Sequence, residues 1–192
     1  MKKEKFLIIV GVIIAIVIFT IFIFREKNIF QNQQQVEPTI LNNLNTMKIS
    51  SPAFENNESI PSKYTCEGEN INPPLLIENV PSETKSLVLI VDDPDAPRGT
   101  FIHWVVFNIP PQTKLIEENS IPEGALLGKN DANDSQYYGP CPPSGKHRYF
   151  FHLYALDIVL DLKNGADLSE IKSAMRNHIL DETELIGTYQ RI

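Results

Sequence analysis

The residues best suited to chemistry in this chain lie in two short polar turns, each joined to an apolar strand pattern. The first turn, DPDAP from Asp93 to Pro97, follows the apolar run Leu87–Val91. Because two prolines stiffen it, this turn holds its carboxylates in place at a strand end. The second turn, GPCPPSG from Gly139 to Gly145, leads into His147 and Tyr149 at the start of another strand. Carboxylates, an imidazole and a phenol all exchange hydrogen bonds, and the two turns predict one shared polar site.

Strand periodicity sorts the side chains near these turns into faces. Alternation along the second strand places His147, Tyr149, Phe151 and Leu153 on one face. His103 is in phase with the apolar residues of its own strand, which by itself predicts a hydrogen-bonded histidine at the edge of the core. The neighbouring DPDAP turn favours a functional role instead. Residues given a structural role are Asp95, as a turn former, His152 and His178.

Taken together, these motifs resemble the phosphatidylethanolamine-binding protein family, and in particular its prokaryotic YbhB/YbcL branch, also called Raf-kinase-inhibitor-like proteins. The resemblance rests on DDPDAP, on His103 entering the WVVFNIP strand and on GPCPPSGKHRY. Two further pieces are YTCEGENINPPL, from Tyr64 to Leu75, and ELIGTYQR, from Glu184 to Arg191. The resemblance covers the chain from about Met47 to the C-terminus and leaves the first 45 or so residues unexplained.

The resemblance implies an anion-binding cavity at one end of the domain. On the family's pattern, the lining positions are Asp93, His103, Cys141, Pro142, His147 and Tyr149, with Phe101 near the rim. Such a cavity suits a phosphate, because imidazole N–H groups, the phenol hydroxyl and backbone N–H groups of the proline-rich loop can all donate to its oxygens. Asp93 then has one of two roles: it sets the histidine tautomer, or it faces the ammonium of a zwitterionic head group.

Strand patterns dominate the chain after the first 45 residues. β-branched and aromatic runs bounded by Pro, Gly, Asp or Asn predict strands at 87–92, 103–109 and 148–156, with shorter candidates at 47–50, 75–78 and 185–189. One helix is predicted from Leu168 or Ser169 to about Leu180, capped by Asp167 or Ser169. The pattern predicts a mainly β fold with a peripheral C-terminal helix. The resemblance implies two antiparallel sheets packed as a Greek-key sandwich.

The first 45 residues differ in composition from the rest. Phe6–Phe24 is apolar apart from Gly11 and Thr20, and its 19 residues at about 1.5 Å rise match the roughly 30 Å core of a bilayer. This stretch predicts an uncleaved transmembrane signal anchor after a short tail over residues 1–5. The polar residues 25–45 predict a flexible tether, and 46–192 a single domain. A small excess of lysines before the span predicts a single-pass membrane protein whose domain is extracytoplasmic.

The charge of the domain limits its partners. From Thr46 onward there are 12 Lys and Arg against 21 Asp and Glu, which excludes nucleic acid, since binding to it depends on basic residues that neutralise phosphates. There is no GxxxxGK loop and no closely spaced ligand pair such as HxxxH or CxxC. We therefore predict no cofactor and no metal, and a metal held by Asp93, His103 and His147 is the alternative.

The two cysteines, Cys66 and Cys141, lie on loops that the family pattern places beside the same site. They form a disulfide if the domain is outside the cell, and are free thiols if it is inside. Sequence alone leaves this choice open.

Three classes of function compete. The leading prediction is a membrane-tethered, non-enzymatic binding protein for a phosphorylated small molecule or a phospholipid head group such as phosphoethanolamine. The second is an inhibitor of a kinase or a protease that acts by protein–protein contact, as the family names suggest. The third is a hydrolase that uses Cys141 with His147.

Overall fold

The computed structural model describes residues 18–28 and 46–191 of the chain. Contacts divide the chain into two units, residues 1–45 and 46–192. Within the described part of the second unit there are eight strands, a 3-10 turn at Ser62–Tyr64 and a C-terminal helix at Leu168–Met175. The strands are β1 (Lys48–Ser50), β2 (Leu75–Glu78), β3 (Ser86–Asp93), β4 (Phe101–Ile109), β5 (Leu115–Ile116), β6 (Leu126–Leu127), β7 (Lys146–Leu156) and β8 (Ile179–Gln190).

The strands form two antiparallel sheets. The smaller sheet has the order β1-β2-β5, and the larger sheet has the order β6-β4-β3-β7-β8. The predicted mainly β fold with two antiparallel sheets and a C-terminal helix is therefore confirmed. Strands β5 and β6 were not predicted, because two residues are too few to show a strand period.

The central strand β3 is buried on both of its faces, which explains its nearly continuous apolar sequence. Leu87 and Leu89 belong to a core cluster that includes Ile77 of the smaller sheet. Val88 belongs to a second cluster that includes Ile171 of the helix. The larger sheet is thus the middle layer, with the smaller sheet on one side and the helix on the other.

The C-terminal helix is shorter than its sequence pattern predicts. It begins after Asp167, whose backbone N–H donates to the Glu170 carboxylate at 2.9 Å in a capping box. It ends at Met175 because Arg176 leaves the helical conformation with a ψ of 129°, and Asn177 then adopts a left-handed φ of 66°. Ile179 and Leu180, which the pattern assigned to the helix, begin β8 instead, and Ile179 pairs with Leu156 of β7.

The predicted membrane segment is not supported. Residues 18–28 are helical and exposed. In the described residues no helix is both long and apolar enough to cross a membrane. By this finding the predicted single-pass membrane localisation with an extracytoplasmic domain is wrong. The predicted tail, residues 6–17 of the predicted span and residues 29–45 of the predicted tether lie outside the described residues.

Candidate functional site

Three neighbouring strands bring the predicted site residues to one end of the larger sheet. Asp93 is the last residue of β3, while His147 and Tyr149 lie at the start of β7. Because β3 runs antiparallel to both β4 and β7, its end lies beside the starts of those two strands. Asp93, His103, His147 and Tyr149 are all buried, with 7% or less of each residue exposed.

A β-bulge in β4 turns His103 toward this site. The register between β3 and β4 shifts just before Asp92, and His103 is the extra residue. Its ring packs edge-to-face on Tyr149, with the two centroids 5.2 Å apart. Simple strand alternation would put His103 on the same face as Val105, but Val105 packs on the opposite side of the sheet with Ile171 of the helix. Bulges of this kind re-aim side chains beside binding sites.

Both site histidines use their Nδ1 atoms inside the protein. His103 Nδ1 lies 2.5 Å from the carbonyl oxygen of Tyr138, and His147 Nδ1 lies 2.7 Å from Asp93 Oδ2. A peptide carbonyl can only accept, so His103 Nδ1 carries the proton. The other carboxylate oxygen of Asp93 accepts the backbone N–H of Asp95 at 2.9 Å. Since both Asp93 oxygens act as acceptors, His147 Nδ1 also donates.

Burial controls the charge of His103. It lowers the pKa of this imidazole, an effect opposed by the hydrogen bond to Tyr138 and by the negative charge of Asp93. The buried ring therefore favours its neutral form, with the proton on Nδ1 and a lone pair on Nε2.

The Tyr149 hydroxyl is buried and has no hydrogen-bond partner of normal geometry in the described part of the chain, although Asp93 and the backbone of Cys141 lie close enough to influence its pKa. Burial, reinforced by the nearby Asp93 carboxylate, raises the pKa of Tyr149, so the hydroxyl keeps its proton and acts as a donor. An unsatisfied buried polar group costs about 1–3 kcal/mol. A ligand oxygen at this position would remove that cost.

The proline-rich loop is tied to the segment that precedes β2. Cys141 and Cys66 are joined by a disulfide, with Cα atoms 5.4 Å apart. The backbone N–H of Gly139 donates to Asn70 Oδ1 at 2.8 Å, and a Cβ at Gly139 would lie only 2.7 Å from that oxygen. Only glycine fits this contact without a shift of the loop. Pro142, next to the disulfide, is buried.

The DPDAP turn is held against β7 by an ion pair. Arg148 donates from its guanidinium to both oxygens of Asp95, at 2.9 and 2.7 Å. These bonds lower the pKa of Asp95 to about 2. Asp95 therefore positions the turn, which agrees with the structural role predicted for it.

Two aromatic residues border the site. Phe101, half-buried, packs edge-to-face on His103 at 4.9 Å between centroids, and lies 5.8 Å from the exposed ring of Tyr138. Tyr138 is a site residue that the sequence interpretation missed. Its position directly before the GPCPP motif is the one signal that could have indicated it.

His152 lies on the other face of β7, 3.5 Å from Asp92.

Two alternatives from the sequence find no support in this geometry. The sulfur of Cys141 is bonded to Cys66, so the Cys141/His147 hydrolase lacks its thiol nucleophile in this structure. Among the described residues there is no group of three or more His, Cys, Asp or Glu that could hold a metal ion.

Comparisons with known proteins agree with this fold. A family model described as phosphatidylethanolamine-binding protein matches residues 50–190. The chain is 53% identical over 150 residues to a UPF0098 protein of Methanothermobacter thermautotrophicus, covering 76% of this chain and 99% of that relative. A UPF0098 protein of Chlamydia trachomatis is 44% identical over 150 residues, covering 76% of this chain and 99% of its own. Neither relative carries an enzymatic name.

Two solved structures share the fold. One, described as a putative phosphatidylethanolamine-binding protein homolog from Chlamydia trachomatis, has a TM-score of 0.75 at 44% identity and covers 77% of this chain and 99% of that one. The other, Escherichia coli YbcL, is described as a new member of the mammalian PEBP family. Its TM-score is 0.71 at 26% identity, with 76% of this chain and 99% of that one covered.

Proposed function

Because the chain belongs to the phosphatidylethanolamine-binding protein family, we propose that its domain is a non-enzymatic binding protein whose site takes a phosphate group. The phosphate is carried by a small molecule or by a phospholipid head group. The observation that carries the proposal is the buried Tyr149 hydroxyl, which has no partner among the described residues. It lies beside the buried His147–Asp93 pair, where a ligand oxygen can accept its hydrogen bond.

The proposed pocket is rigid before any ligand arrives. His103 is held by the Tyr138 carbonyl, His147 by Asp93, and the proline-rich loop by the Cys66–Cys141 disulfide. A pre-organised site loses little conformational entropy on binding, which favours a small ligand with few contacts.

The role of Asp93 follows from its contacts. One of its oxygens accepts from His147 and the other from the backbone of Asp95. These bonds support a role in setting the His147 tautomer, rather than direct contact with an ammonium group. The alternative of a kinase or protease inhibitor rests on family names, and no contact in the described structure favours it.

Tyr149→Phe tests the proposal, because it deletes one hydroxyl and keeps the ring. We expect the affinity for inorganic phosphate to fall roughly 10- to 150-fold, since a hydrogen bond to a charged group contributes about 1.5–3 kcal/mol. The melting temperature of the free protein should stay the same or rise, because the variant removes an unsatisfied buried hydroxyl. Calorimetric titration and thermal melting measure the two effects.

Two other tyrosines provide matched controls. Tyr154→Phe changes the opposite face of β7 and should leave phosphate affinity unchanged. Tyr137→Phe removes a hydrogen bond of 3.1 Å to the Tyr64 carbonyl, so it should lower the melting temperature. Phosphate binding by Tyr149→Phe that matches the wild type would rule out the proposed pocket.

A further inference from the structure

We infer that the site selects oxyanions that carry a proton of their own, namely inorganic phosphate or a phosphate monoester with a P–OH group. Sulfate and phosphodiesters lack that proton and are disfavoured, so of the two phosphate sources named above the small molecule is favoured over an intact phospholipid, whose phosphate is a diester. This inference rests on the proposed function and deepens it by assigning a specific role to His103, whose Nε2 accepts a hydrogen bond from the ligand's P–OH.

The role of His103 follows from two backbone bonds. Its Nδ1 donates to the carbonyl of Tyr138 at 2.5 Å, and the N–H of Tyr138 donates to the carbonyl of His103 at 3.0 Å. The ring and the loop therefore hold each other, and the proton cannot move to Nε2 without loss of the first bond. With Nδ1 used in this way, Nε2 is the ring nitrogen whose lone pair is left for a ligand.

The role of His147 follows from its buried partner. Asp93 accepts from its Nδ1 at 2.7 Å, with only 9% of the His147 side chain and 5% of the Asp93 side chain exposed. This bond fixes the His147 ring and leaves only its Nε2 to face a ligand.

A fully ionised anion presents only acceptors to this arrangement. The Tyr149 hydroxyl can meet one of its oxygens, but the neutral Nε2 of His103 would face another acceptor. To bind sulfate, the site must also protonate His103, whose burial opposes the charge. A ligand that has its own P–OH meets the same Nε2 without that change.

The charges around the site also disfavour a fully ionised ligand. The carboxylates that act on His103 are Asp92 and Asp93 of β3 and Asp131 of the loop after β6. Those that act on or contact His147 are Asp93 and Asp95. These negative charges favour a singly charged ligand over a doubly charged one, because each added negative charge is repelled by all of them.

Four small probes test the inference on the full-length chain: inorganic phosphate, methyl phosphate, dimethyl phosphate and sulfate. At pH 7, inorganic phosphate should bind roughly 5- to 150-fold more tightly than sulfate or dimethyl phosphate, since the Nε2 lone pair of His103 otherwise faces a ligand acceptor. Inorganic phosphate keeps a P–OH through pH 8, but a monoester loses it near its second pKa of about 6. The affinity of methyl phosphate relative to inorganic phosphate should therefore fall between pH 5 and pH 8, as measured by calorimetry.

Proton counting gives an independent readout. Titration in two buffers of different ionisation enthalpy should show that more protons are taken up when sulfate binds than when inorganic phosphate binds at pH 7. For each additional proton taken up, the affinity for sulfate should fall tenfold per unit increase in pH.

Two matched variants locate the selectivity. His103→Asn replaces the lone pair with a carboxamide that can donate, so the phosphate-to-sulfate affinity ratio should fall toward one. His147→Asn leaves His103 in place and should keep the ratio above one, with weaker binding of both anions. His103→Gln serves as a second variant if His103→Asn fails to melt cooperatively.

The outcomes separate the two proposals. Equal affinity of the wild type for phosphate and sulfate at pH 7, with equal proton uptake, would overturn the inference and leave the proposed phosphate site intact. A ratio that persists in both His103 variants would remove the role given to His103. Failure of all four probes to bind at any pH would instead refute the proposed function itself.

Discussion

Reduction of the Cys66–Cys141 disulfide is expected to lower the melting temperature of the domain by roughly 10 °C. The bridge joins residues 75 positions apart, and closing a loop of this length restricts the unfolded chain. Disulfides of this kind typically contribute about 2–4 kcal/mol, and each 1 kcal/mol shifts the melting temperature of a domain of this size by about 2–4 °C. Thermal melting with and without reductant measures the shift.

A double variant controls for side effects of the reductant. Cys66→Ser combined with Cys141→Ser should melt near the temperature of the reduced protein and should not respond to reductant. Phosphate affinity should also fall in both cases, because the bridge holds the loop that borders the site, including the Cys66 N–H bond of 3.1 Å to the Pro140 carbonyl. Labelling of two free thiols per chain under denaturing, non-reducing conditions would show that the bridge does not form.

Asp93→Asn is expected to weaken binding of inorganic phosphate and of phosphoethanolamine by the same factor, roughly 10- to 150-fold. The carboxylate sets the tautomer of His147, and a hydrogen bond to a charged group contributes about 1.5–3 kcal/mol. The two ligands differ by an ammonium group but share the phosphate. An equal loss therefore follows if Asp93 acts through His147, and calorimetric titration of both ligands measures it.

The neighbouring carboxylate is the matched control. Asp95→Asn breaks the ion pair with Arg148, in which 55% of the Arg148 side chain is exposed, so the loss of stability should be small. Phosphate affinity should stay close to that of the wild type, since Asp95 touches neither histidine by hydrogen bond. A loss in Asp93→Asn confined to phosphoethanolamine would contradict tautomer control and support an ammonium contact.

The core motifs were recognisable because they combine fixed residue types with a stiff local backbone. DPDAP and GPCPP place prolines beside a carboxylate and a cysteine, and both lie at strand ends in the structure. The face of β7 that holds His147 and Tyr149 was predicted correctly, because a regular strand alternates its side chains whatever it pairs with.

Features that depend on pairing between strands could not be predicted from local sequence patterns. The bulge at His103 arises from the register between β3 and β4, and a register shift leaves no trace in the periodicity of one strand. The helix stops at Met175, and Ile179 and Leu180 belong to β8 instead, so strand pairing overrides their apolar helical spacing. Composition alone predicted the membrane span over Phe6–Phe24, and the helices of the described residues do not support it.

The sequence by itself determined the family, the mainly β class and the set of polar residues near the site, because these depend on residue types and on short-range stiffness. Only the tertiary structure decided which nitrogen of each imidazole is left for a ligand. That choice depends on Tyr138, 35 residues from His103, and on Asp93, 54 residues from His147. One of these partners is a backbone carbonyl, which every residue has, so no sequence motif can mark it. The direction of a hydrogen bond is a property of two groups in contact, and folding alone brings them together.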